Sequence, residues 1–69
     1  MKYSTRNQMK GKVTEIKKGA LMAEVIVEVN KDLTVTSVIT LDSLSDMNLK
    51  VGDEVKALVK AVNVILVKD

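Results

Sequence analysis

Three short segments of the sequence carry groups that could hold a ligand: Ser4-Thr5-Arg6-Asn7, the pair Thr40 and Ser43, and Lys60-Ala61. Arg6 and Lys60 bring two positive charges, which match a dianion. The hydroxyls of Ser4, Thr40 and Ser43 donate without adding charge, and backbone N–H groups near Thr5 and Ala61 can do the same. Charge-assisted hydrogen bonds from such donors are stronger than neutral ones. A helix beginning near Ser43 would add a partial positive charge. With no histidine or carboxylate in the set, a bare metal cation fits poorly and an oxyanion fits well. Each segment has a plainer reading when taken singly: a frayed terminus, a helix cap, an exposed strand lysine. It is the combination that points to one ligand.

Composition removes most alternatives. The chain contains no histidine and no cysteine, so Ser-His, Cys-His and zinc-water chemistries lack a required residue. Nine Asp and Glu residues remain, but most alternate with valines as on an exposed strand face, and no catalytic constellation emerges. A non-enzyme with no cofactor is expected. The net charge of +2 is spread among interspersed Lys, Glu and Asp, not clustered as a nucleic-acid footprint. Single-strand binding also leans on aromatic stacking platforms, and Tyr3 is the one aromatic residue. No leader-like or membrane-spanning apolar run is visible, so a cytoplasmic protein is expected, with neither nucleic acid nor membrane as partner.

The elements that must position these groups are strands. The chain has 69 residues, a single domain over 1–69, with no proline and three glycines. In Ala23-Glu24-Val25-Ile26-Val27-Glu28-Val29, the residues Ala23, Val25, Val27 and Val29 share one face by the two-residue period. Lys17-Lys18-Gly19-Ala20 is a turn before it, predicting an antiparallel pair from Gln8–Lys17 and Leu21–Val29. Asn30-Lys31-Asp32 turns into a third strand, Leu33–Leu41. The period then changes: Leu44 and Met47 at helical spacing after Asp42-Ser43 predict a short helix plugging one end of the sheet. Lys50-Val51-Gly52-Asp53 is a turn before Glu54–Lys60, and Val62–Val67 is predicted as a fifth strand. "KALVKAVNVILV" also scores as a helix, but its β-branched content and the break at Asn63 favour two strands.

Five strands with a short helix between the third and fourth give an all-β, OB-like Greek-key barrel, whose closure removes exposed edges. A domain of this size has a marginal core, yet the chain is 46% hydrophobic. Ile26, Val38, Leu58, Ile65 and Val67 fall on the face opposite the core residues of their strands. Such a surplus predicts a buried surface between copies of the chain.

"STRNQMKGKV", then "KKGALMAEVIVEV", "TSVITLDSL" and "KVGDEVKALVKAVNVIL" resemble the molbindin family, the small molybdate-binding Mop or TOBE-type proteins, across essentially the whole chain. The resemblance implies an OB-like barrel assembled as a hexamer, a trimer of dimers, with tetrahedral molybdate or tungstate as ligand between subunits. Carried over by position, Ser4, Thr5 and Arg6 match the family's N-terminal ligand loop, Thr40 and Ser43 its pre-helix hydroxyl pair, and Lys60 and Ala61 its strand-four lysine segment. Asn7 is a candidate for a supporting role. The family commonly has alanine between the serine and the arginine, so Thr5 is a departure and implies a backbone contact there. The implied function is intracellular molybdate storage or homeostasis. The alternative is a molybdate-responsive interaction module that acts on a partner protein in trans.

Overall fold

The computed structural model describes residues 5–69. Four strands form, β1 (Asn7–Lys18), β2 (Met22–Asn30), β3 (Leu33–Thr40) and β4 (Glu54–Val59), with helix α1 (Leu41–Asp46) between the last two. All pairings are antiparallel and the sheet order is β3-β2-β1-β4. The long first strand serves two neighbours. Its first half, Asn7 to Lys12, pairs with β4, and its second half, from Lys12 onward, pairs with β2.

The alternation expected in β2 is what builds the core. Ala23, Val25 and Val27 are buried together with Val13 of β1 and Leu44 of α1, and Ile16, Ile39, Leu41, Leu49 and Val55 pack against them. A bulge at Thr14 keeps β1 in step with this arrangement: Val13 pairs with Val27 but Glu15 pairs with Ile26. Without that extra residue, Glu15 and Lys17 would take the inward positions and Ile16 would face solvent.

Gly11 sits where β1 passes over the end of β2. A Cβ there would stand 2.5 Å from Val27 Cγ1 and 2.7 Å from the Glu28 carbonyl oxygen. The oxygen belongs to paired backbone and cannot swing away. Gly11→Ala is therefore expected to destabilise the fold by about 1–3 kcal/mol, the usual cost of overpacking. A guanidinium unfolding midpoint equal to wild type would show that β1 has room to shift.

Helix α1 is short, and its ends are well specified. Thr40 is the N-cap, its Oγ1 accepting the Ser43 N–H. At the far end Asn48 adopts a left-handed φ of 50°. The Leu49 N–H reaches the Leu44 carbonyl and the Asn48 N–H the Ser45 carbonyl, the paired bonds of a Schellman motif. Leu44 and Leu49 supply its apolar contact within the core. The chain then turns at Lys50–Asp53, where Gly52 has φ 98° and Asp53 Oδ2 accepts the Lys50 N–H at 2.9 Å. Gly52 and Asp53 hydrogen-bond the backbone of Val13, which ties this turn to the middle of β1.

The fifth strand does not form. A 3-10 turn occupies Ala61–Asn63, and the residues after it make no ladder. The sheet is thus a four-stranded half-barrel, and β3 and β4 remain its open edges. A strand needs a partner as well as propensity, and among the described residues nothing pairs with 64–69. Val62, Ile65, Leu66 and Val67 are each 87–92% exposed. Of the other aliphatics expected opposite the core, Val38 is exposed, while Ile26 and Leu58 are half-buried.

Candidate functional site

Two of the three polar segments meet at one end of the sheet. Asn7 pairs with Val59 in the β1–β4 ladder, and extending that register by one step sets Arg6 opposite Lys60. Inward positions in β1 are odd-numbered up to Val13, so Arg6 belongs with Gln8 and Lys10 on the outer face. Lys60 shares its parity with Lys56 and Leu58. Both cations are exposed, and neither has an ion-pair partner among the described residues, where the one salt bridge joins Lys17 to Glu15. Like charges set opposite across a ladder repel. Such a rung is stable when an anion lies against both.

The backbone around these cations is held by Thr5. Its Oγ1 donates to the Val59 carbonyl and accepts the Asn7 N–H at 3.2 Å. Gln8 Nε2 adds a bond to the Thr5 carbonyl at 3.3 Å. A hydroxyl has one proton, and that of Thr5 is given to Val59, so this side chain is not a donor to an oxyanion. Ala61 is exposed and begins the 3-10 turn, while Lys60 caps it in extended backbone with no side-chain capping bond. Ser4 lies outside the described residues.

The hydroxyl pair lies elsewhere. Thr40 closes β3, paired with Met22, and Ser43 stands one helical turn on. Thr40 Oγ1 donates to Ser43 Oγ at 3.0 Å while accepting the Ser43 N–H at 3.0 Å. Of the two hydroxyl protons one is used within the pair, which leaves the Ser43 O–H to donate outward. The helix, expected to begin near Ser43, begins at Leu41, and Thr40 is its cap, because its extended backbone precedes the first helical residue. Asp42, in the first turn, lies between the two.

No hydrogen bond joins the Thr40–Ser43 pair to Arg6 and Lys60 among the described residues, and the register sets them at opposite ends of β1: Thr40 pairs with Met22, beside the Lys18 end, whereas Arg6 precedes Asn7. One chain therefore assembles two half-sites. Gln8 and the Val59 carbonyl are the groups the sequence did not single out. Gln8 was legible as part of "STRNQ", but a backbone carbonyl carries no sequence signal. Among the described residues no three His, Cys, Asp or Glu gather as a metal would need, and no helix is long and apolar enough to cross a membrane.

Comparison with known proteins identifies the family. The TOBE domain model matches residues 3–66. The molybdenum-pterin-binding protein 3 of Clostridium pasteurianum is 46% identical over 66 residues, covering 96% of this chain and 97% of its own. The solved molybdate-binding protein of Sporomusa ovata superposes with a TM-score of 0.92 at 41% identity, over 99% of this chain and 100% of that one. The cytoplasmic molybdate-binding protein ModG, crystallised with molybdate bound, gives 0.89 at 35% identity over 94% of this chain and 46% of that one. With a match over nearly its whole length and relatives of almost equal size, the chain belongs to the TOBE domain family, in its small Mop, or molbindin, branch.

Proposed function

We propose that the chain binds molybdate or tungstate as an intact tetrahedral oxyanion, between copies of itself, and serves as a cytoplasmic store or buffer without catalysing a reaction. The observation that carries this reading is the Asn7–Val59 pairing, whose continuation by one step sets the cations Arg6 and Lys60 opposite each other, with no carboxylate paired to either among the described residues. A tetrahedral dianion neutralises that rung and accepts from the Ser43 hydroxyl of another copy. Separation of the two half-sites within one chain supports a ligand held between chains, because each copy then lends what the other lacks.

Assembly is supported by the segment after β4. Residues 62–67 are strand-forming and exposed, and β3 and β4 offer unpaired edges. Placed along an edge of a neighbouring copy, the segment completes the neighbour's barrel by strand addition. The count of copies, six as a trimer of dimers, rests on the family resemblance.

Native mass spectrometry tests ligand and assembly together. Titrated with molybdate, tungstate and, as control, sulfate, the protein is expected to be an oligomer that takes up several molybdates or tungstates and ignores sulfate. Sulfate is smaller, and a cavity sized for molybdate leaves donors unpaired around it. A monomer with no mass shift would remove the reading.

A further inference from the structure

We infer that Thr5 is a positioning residue, which holds the two cations of the oxyanion site in register and does not touch the oxyanion through its hydroxyl. The inference rests on the proposed oxyanion function and deepens it. Arg6 and Lys60 lie one step beyond Asn7–Val59, the terminal rung of the β1–β4 ladder. Their mutual repulsion tends to open that end of the sheet when no anion is present. Against this, the only bond past the terminal rung between the two segments, among the described residues, is Thr5 Oγ1–H to the Val59 carbonyl.

The same oxygen accepts the Asn7 N–H, so one side chain joins the residue after Arg6 to the residue before Lys60. Thr5 is half-buried and on the inward parity of β1, whereas Arg6 is exposed on the outer one. The clamp and the cation therefore lie on opposite faces of the same strand end. Threonine suits the role because its branched Cβ restricts χ1, which keeps the hydroxyl aimed at one carbonyl. Gln8 reinforces it through the Thr5 carbonyl. A site whose cations are held in place before the ligand arrives loses less freedom on binding.

The test uses the full chain in its assembled state. Molybdate affinity by calorimetry, native mass, and hydrogen exchange at the Asn7 amide are measured for wild type, Thr5→Val and Thr5→Ser. Valine keeps the branched shape and removes both bonds; serine keeps the hydroxyl. Thr5→Val is expected to lose about tenfold in molybdate affinity and to exchange the Asn7 amide faster at unchanged native mass. Thr5→Ser is expected to restore both to within about threefold of wild type. Wild-type affinity in Thr5→Val overturns the inference. So does a loss of affinity with unchanged Asn7 exchange, which assigns the hydroxyl to direct contact. Absence of molybdate binding by wild type overturns the function reading instead, and the Asn7 exchange rates still decide whether the clamp exists.

Discussion

Arg6→Ala is expected to remove tight molybdate binding and to leave the half-barrel folded. Loss of one member of a buried, hydrogen-bonded charge pair costs on the order of 2–5 kcal/mol, or about 30-fold to several-thousand-fold in affinity. Folding should be spared because Arg6 is exposed and lies outside the cluster of Val13, Ala23, Val25, Val27 and Leu44. Removing Arg6 also relieves its repulsion with Lys60, so the ligand-free protein should be no less stable. Lys60→Ala should behave likewise. Lys17→Ala is the control for net charge: it removes the same +1 from a residue whose partner is Glu15, at the other end of β1. Calorimetry with molybdate gives the comparison, and affinity unchanged from wild type in both Arg6→Ala and Lys60→Ala would place the ligand elsewhere.

Deletion of residues 62–69 is expected to dissolve the assembly into smaller species. Val62, Ile65, Leu66 and Val67 are almost fully exposed in a single copy. Burying each in a neighbour is worth about 1.5–3 kcal/mol. Their removal thus forfeits about 6 kcal/mol or more per chain, before the entropy of ordering the segment is subtracted. Ile65→Asp tests the same contact while keeping the backbone available for ladder bonds, and should weaken assembly less than the deletion does. Native mass spectrometry across a dilution series is the measurement. An unchanged oligomer after deletion would mean that the sheet faces, with Val38 among them, carry the contact and the segment does not.

How far the sequence reveals this molecule depends on whether a feature is local. The two-residue period of Ala23, Val25 and Val27 predicts their common burial, because strand geometry alone sets it. Leu44 as a core plug is equally local. The bulge at Thr14 is written only in the switch of apolar parity from Val13 to Ile16, a signal two residues wide. The segment 62–67 has the composition of a strand, but pairing is a property of two segments, and among the described residues no strand of the sheet pairs with it. At the candidate site, residue type alone singles out Arg6 and Lys60 as cations, while donor direction does not follow from type. Thr5 and Thr40 each spend their one hydroxyl proton inside the protein, which only the identity of their neighbours decides. The helix start is non-local in the same sense: Thr40 and Ser43 are three residues apart, and either type could cap until the backbone fixes where the helix begins.

The exposed segment after β4 also bears on how a single copy of this chain behaves in solution. "VNVILV" combines high strand propensity with no charge and no proline, the composition of segments that stack into cross-β aggregates. The charges flanking it are Lys60, beyond Ala61, on one side and Lys68-Asp69 on the other, positions that suit gatekeepers against uncontrolled stacking. The same six residues thus combine an unpaired, aggregation-prone composition with flanking charges that limit it.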